Sequence, residues 1–253
     1  MDHQIAMLWE RVALSFLEQL AMRSFIDAGH DVVLYSYEPV ERVPDGVTLA
    51  DAADVLTEHA FNSLWSGARR DAFRTKLLAA TDSVIWAETD MLCLKPLTPV
   101  DGYLVGFDDA GFVGTGLVCL PKDSQALERC LVAAEAALAA SLNDEKHCAS
   151  LGSRHLTAVL HETGELARAV PKQVLYPCSF DARQRLVTAG VDRAMLVAQD
   201  TRAIDMHGSR LSSFLISHSD GLPDPESFLG QCLMDYGIDP CGATLPDAPH
   251  PDR

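Results

Sequence analysis

The sequence predicts an α/β fold: a mixed, Rossmann-type sheet flanked by helices in a single domain. Two apolar runs, Ile5–Trp9 and Asp31–Tyr37, bracket a helical pattern within about 35 residues, which is the spacing of a βαβ unit with a parallel strand pair. A third run, Ser83–Ala87, reads as a buried strand that stops on Glu88, Thr89 and Asp90. The chain has 253 residues, enough for one large core, and shows no internal repeat, linker or low-complexity stretch.

The elements follow in order. Ser15-Phe-Leu-Glu18 is a capping box opening a helix whose inner face carries Leu17, Leu20, Ala21, Ser24 and Phe25; Gly29 closes it. Val43-Pro44-Asp45-Gly46 is a turn. Short helices are expected over Asp51–Glu58 and Arg70–Ala80, the second turning Phe73, Leu77 and Leu78 inward. Tyr103–Phe107 and Gly116–Leu120 read as strands, and Ala203–His207 as a late one. Helices are expected over Ser124–Ser141, Arg154–Glu162 and Pro225–Gly237. The domain is drawn over residues 1–245, with a Pro- and Asp-rich flexible tail over 246–253.

The net charge of −16 argues against a nucleic-acid partner, because an acidic surface repels phosphate backbones. An anionic small molecule still binds where a metal or a local group of arginines screens it. The N-terminal apolar stretch is interrupted by Glu10, Arg11 and Glu18 and has no basic lead, so it does not read as a signal peptide. No run of 18 apolar residues is present, so no integral membrane segment is expected. Seven cysteines without a CxxC pair read as reduced thiols, which points to the cytoplasm. There is no G-x-G-x-x-G or G-x-x-x-x-G-K-[ST] segment, so dinucleotide and P-loop readings fail.

Trp86-Ala-Glu88-Thr-Asp90 carries the chemistry. Two carboxylates at i and i+2 stand where a buried strand ends, the edge at which α/β sheets bind ligands. Alternate residues of an extended segment point the same way, so both acids are able to face one hard cation such as Mg²⁺ or Mn²⁺.

This segment resembles the DXD motif of bacterial sugar transferases related to α-1,4-galactosyltransferases and yeast mannosyltransferases. The resemblance extends through Leu8-Trp9, Ser24-Phe25-x-x-x-Gly29-His30, Leu34-Tyr35-x-Tyr37, Asp71-x-Phe73-Arg74-x-Lys76-Leu77-Leu78, Tyr176-Pro177 and Ser227-Phe228-Leu229. It implies a GT-A-like fold, a nucleotide-sugar donor, a glycan or glycolipid acceptor, Mn²⁺ or Mg²⁺, and retention of anomeric configuration. By the same resemblance Leu8 and Trp9 lie at the donor, with Trp9 beside the nucleobase. Asp71 and Arg74 hold the donor sugar and its phosphate, and Thr89 and Thr115 line the donor site. Glu88 and Asp90 occupy the DXD positions, Asp90 as the direct metal ligand, and His207 approaches the metal and diphosphate. The catalytic set is thus Asp71, Arg74, Glu88 and Asp90, and the metal set Glu88, Asp90 and His207.

The chain departs from the pattern at three places. Glu88 stands where the family has Asp; Asp82 and Ser83 replace a glycine pair before the Trp86 strand; Arg11 and Val12 replace another after Trp9. Glycines let backbone approach a ligand closely, so a relative that binds nucleotide sugar without transferring it is the second reading.

Overall fold

The computed structural model describes residues 3–142 and 151–246. The chain runs β1 (Gln4–Trp9), α1 (Phe16–Asp27), β2 (Val32–Ser36), β3 (Val47–Asp51), α2 (Glu58–Ser63), α3 (Ser66–Ala80), β4 (Val84–Ala87) and β5 (Met91–Cys93). It continues through β6 (Leu117–Val118), α4 (Gln125–Leu142), α5 (Ser153–Glu162), α6 (Lys172–Leu175), β7 (Ala203–Asp205), α7 (Gly208–His218) and α8 (Phe228–Asp235).

The main sheet has the order β3-β2-β1-β4-β6. β1 pairs in parallel with β2 and β4, β2 pairs in parallel with β3, and only β6 runs antiparallel, setting Trp86 opposite Val118. This is the mixed α/β sheet flanked by helices that the sequence predicts. β1 is apolar on both faces because it is covered on both. Ile5, Met7 and Trp9 pack with Leu14 and Phe25, whereas Ala6 and Leu8 pack with Phe73 and Trp86. The strand order reverses between β1 and β4, so a crevice opens past their carboxyl ends, the usual ligand position in such sheets.

α1 begins where the capping box places it. Leu17 N–H donates to Ser15 Oγ at 3.3 Å, and Ser15 N–H donates to Glu18 Oε2 at 2.8 Å. Other expectations are corrected. The run expected to be helical over Asp51–Glu58 instead holds the last residue of the parallel edge strand β3 (Val47–Asp51), a 3-10 turn, Ala52–Asp54, and the first residue of α2. α3 starts four residues earlier than expected, at Ser66. Tyr103–Phe107 makes isolated bridges instead of a strand: Tyr103 to Val100, Leu104 to Cys119, Gly106 to Val170 and Phe107 to Val113. The segment after the acidic pair is the strand β5, which pairs antiparallel with β7 in a small second sheet. That pairing carries Met91 opposite Asp205 and brings the late strand to the crevice. The expected tail lies outside the described residues except for Pro246. The described cysteines are free thiols, and no helix among the described residues is long and apolar enough to cross a membrane.

Candidate functional site

Two adjoining cavities occupy the crevice. The first, about 650 Å³, is lined by Asp71, Glu88, Asp90, Thr115, Asp205 and His207 among others. The second, about 540 Å³, is lined by Trp9, Arg11, Thr89, Asp90, Ser212 and Pro246 among others. Arg70, Asp90 and Ser209 line both, so they form the seam between the chambers.

The turn Glu88-Thr89-Asp90 is fixed from both sides. Glu88 N–H donates to the Gly116 carbonyl at 2.8 Å, and Met91 N–H closes the turn onto the Glu88 carbonyl at 3.1 Å. Each acid then has its own environment. Glu88 is held by the protein: Arg70 Nη1 lies 2.7 Å from its Oε2, and the Trp86 indole N–H donates to Oε1 at 3.3 Å. Arg70 is itself shared, since its Nε donates to Glu10 Oε1 at 2.7 Å. Burial raises the Glu88 pKa, Arg70 counters that, and Asp90 adds to it. Asp90 differs. Its Oδ2 accepts from Gly208 N–H at 2.8 Å, and among the described residues no hydrogen bond or ion pair engages Oδ1.

Gly208 opens α7, whose amino end faces the seam. A Cβ at Gly208 would lie 3.0 Å from Asp90 Cβ, so glycine is what allows this helix end to reach the acid. His207 caps α7 in the left-handed region, with φ 53°. Its N–H donates to Asp205 Oδ1 at 2.7 Å, and its Nδ1 lies 3.3 Å from the same oxygen. Its Nε2 is buried and makes no hydrogen bond of good geometry among the described residues, although the Cys178 backbone lies near enough to the ring to favour its charged form. Burial lowers the His207 pKa against the pull of Asp90. Burial, and then Asp90, raise the Asp205 carboxyl well above the usual range.

α3 supplies the opposite wall. Arg70, Asp71 and Arg74 fall on one face because three and four residues make a helical turn. Asp71 lines the first chamber, and Arg74 sits behind it, only 3% exposed. Arg74 Nη1 is 2.7 Å from Asp71 Oδ1, yet the approach is too oblique to count as a hydrogen bond. The amino end of α5 closes on the other carboxylate oxygen: a Cβ at Gly152 would lie 3.3 Å from Asp71 Oδ2. Gly114, Thr115 and Gly116 form the floor of this chamber, pressed against Tyr176, whose hydroxyl accepts from Leu117 N–H at 2.8 Å.

The structure therefore brings Asp71, Glu88, Asp90, Thr115 and His207 to one cavity, and Trp9 and Thr89 to its neighbour. Leu8 is buried in the core and lines neither, and Arg74 reaches the cleft through Asp71. Sequence reasoning missed Arg70, Asp205 and Gly208. Arg70 and Gly208 each adjoin a residue that was singled out, and Asp205 lies inside the run read as a strand. Of the replaced glycine pairs, Asp82 and Ser83 lie at the amino end of β4, remote from the cleft, and Ser83 keeps a left-handed φ of 54°. Arg11, by contrast, lines the second chamber.

No protein-family model and no curated protein matches the chain. Many solved chains resemble it, two of them as follows. One is a transferase bearing two cysteine-to-serine substitutions, with a TM-score of 0.40 and 11% identity over 65% of this chain and 86% of that one. The other is mouse xyloside xylosyltransferase 1 in its apo form, with a TM-score of 0.45 and 11% identity over 81% of this chain and 97% of that one. A likeness this distant identifies neither substrate nor catalytic residues.

Proposed function

We propose that the protein is a metal-dependent, retaining glycosyltransferase that moves a sugar from a nucleotide-sugar donor to a glycan or glycolipid acceptor, in a bacterium-like cytoplasm. One observation supports this above the others. Asp90 stands at the seam of two chambers, each lined by a residue with a buried nitrogen that makes no well-formed hydrogen bond: Trp9 Nε1 in the second and His207 Nε2 in the first. A buried polar atom left unpaired costs about 1–3 kcal/mol, so such atoms point to a missing ligand.

In this reading the base lies beside Trp9, the diphosphate crosses the seam, and the sugar enters the first chamber against Asp71 and Thr115. The amino end of α7 attracts the diphosphate, since its first N–H groups carry partial positive charge. Arg70 lies at the same seam, its charge shared with Glu10 and Glu88, so it reaches the diphosphate as a positioned donor and not as a free charge. Asp71, steadied by Arg74, orients the sugar by accepting from its hydroxyls.

The carboxylates fit a hard cation, and the imidazole is a softer ligand that Mn²⁺ accepts more readily than Mg²⁺. Asp90 and His207 would hold it directly, and Glu88 is better placed to act through Arg70 or a water. Among the described residues no three such side chains already converge to hold an ion, so phosphate oxygens of the donor would complete the shell. Bound there, the ion would neutralise charge on the departing diphosphate.

A panel of nucleotide sugars with Mn²⁺, followed by NMR, tests the reading. Slow release of free sugar from one donor, with its anomeric configuration kept, is the expected result. The engagement of both Glu88 oxygens by Arg70 and Trp86 favours the second reading, a binder without transfer. That reading predicts a bound donor that is never consumed. Failure of every donor to bind contradicts both.

A further inference from the structure

At the mouth of the first chamber Phe180 lines the cavity and is 43% exposed. Two guanidinium groups lie against its ring: Arg183 Cζ at 4.6 Å from the centroid and Arg210 Cζ at 5.8 Å. His207 meets it edge-on, with centroids 5.4 Å apart. A guanidinium stacked on an aromatic ring keeps its N–H donors in its own plane, free to grip an oxyanion in a fork.

The two arginines are short of partners. Arg183 donates from Nη1 to the Phe180 carbonyl, while its Nε is buried with none. No hydrogen bond or ion pair engages the Arg210 guanidinium among the described residues. The same chamber is lined by Asp108 and Asp109, yet among the described residues neither guanidinium group has a carboxylate in contact, and two such groups on one ring at a cavity mouth offer an anion a local grip in a chain of net charge −16. Phe180 and Arg210 line the first chamber and not the second, which puts them on the sugar side of the seam; Arg183 packs on the same ring without lining either chamber.

We propose that Phe180 holds Arg183 and Arg210 as a clamp for an anionic group, phosphate or carboxylate, on the acceptor. The inference rests on the transferase reading above, which gives the first chamber to the reacting sugar. It narrows the acceptor class to sugars or lipid-linked sugars carrying phosphate or uronate charge. The donor diphosphate has the same phosphate chemistry, so the test must separate the two sources.

Ligand-observed NMR would measure glucose 1-phosphate, glucuronate and methyl glucoside, with and without a saturating nucleoside diphosphate and Mn²⁺. The anionic probes should bind about tenfold or more tightly than methyl glucoside, as charge-assisted hydrogen bonds imply. Arg183→Ala, Arg210→Ala and Phe180→Leu, each verified as folded by its melting curve, should remove that preference. Nucleoside diphosphate affinity should stay unchanged in all three. Equal binding of neutral and anionic probes overturns the clamp. A parallel loss of nucleoside diphosphate affinity in the arginine variants assigns it to the donor and overturns the acceptor role. A wild type that selects anionic probes but binds no nucleoside diphosphate upholds the clamp and refutes the transferase reading instead.

Discussion

Asp71 and Arg74 are 2.7 Å apart with little exposure, so each offsets the other's lost hydration. Removing one partner strands a buried charge. Arg74→Ala should therefore cost about 3–5 kcal/mol in urea unfolding, with Arg74→Lys milder. An Arg74→Ala protein as stable as wild type would exclude the positioning role. Glu88 illustrates the value of one methylene. Its carboxylate spans from Arg70 to the Trp86 indole, and a shorter acid loses reach toward both. Glu88→Asp should lower stability by about 1 kcal/mol, the worth of a hydrogen bond, and loosen Arg70. An unchanged melting temperature would show that Asp serves equally well there.

Glycines decide the geometry among the elements. α7 reaches Asp90 because Gly208 has no Cβ, and Tyr176 seats on Gly114, where a Cβ would lie 2.5 Å from the ring Cζ. Gly208→Ala should weaken metal-dependent nucleotide binding, and Gly114→Ala should destabilise by about 1–3 kcal/mol through overpacking. Calorimetry and thermal melting check them respectively, and full wild-type behaviour in either would refute the packing argument. The elements that the sequence revealed are those with a strong apolar period or a cap: β1, α1 with Ser15 and Glu18, and β4 ending on acids. The missed ones lack that signal. β3 is an edge strand with only half-buried or exposed residues, so Val47–Asp51 shows no core face. β5 runs on from the acidic turn with three buried residues and no alternation. α7 starts with Gly and carries four serines, a composition that reads as loop until packing on Leu211 and Leu215 makes it helical. Asp205 was hidden for the same reason as the site's depth: its partner strand β5 is far away in sequence.

For the whole molecule, the cleft stores unfavourable charge. Glu18, Glu88 and Asp205 all have raised pKa values, burial being the largest cause of each. A carboxyl raised in the fold holds its proton more tightly there than in the unfolded chain. Its contribution is fully present below the ordinary carboxylate pKa and is lost as pH climbs through the raised value. These three acids should therefore make the ligand-free protein less stable as pH rises from about 4 into the neutral range. Thermal melting across that range checks the sign, and the Asp205→Asn variant should flatten the fall. The proposed function requires this acidic, two-chambered cleft to take a metal and a diphosphate together. Titration calorimetry of a panel of nucleoside diphosphates with and without Mn²⁺ tests it most directly, with Asp90→Asn beside the wild type. At least one nucleoside diphosphate should bind the wild type far more tightly with Mn²⁺, and Asp90→Asn should lose most of that dependence while staying folded. Equal Mn²⁺ dependence in Asp90→Asn and wild type, or no binding by the wild type at all, would contradict it.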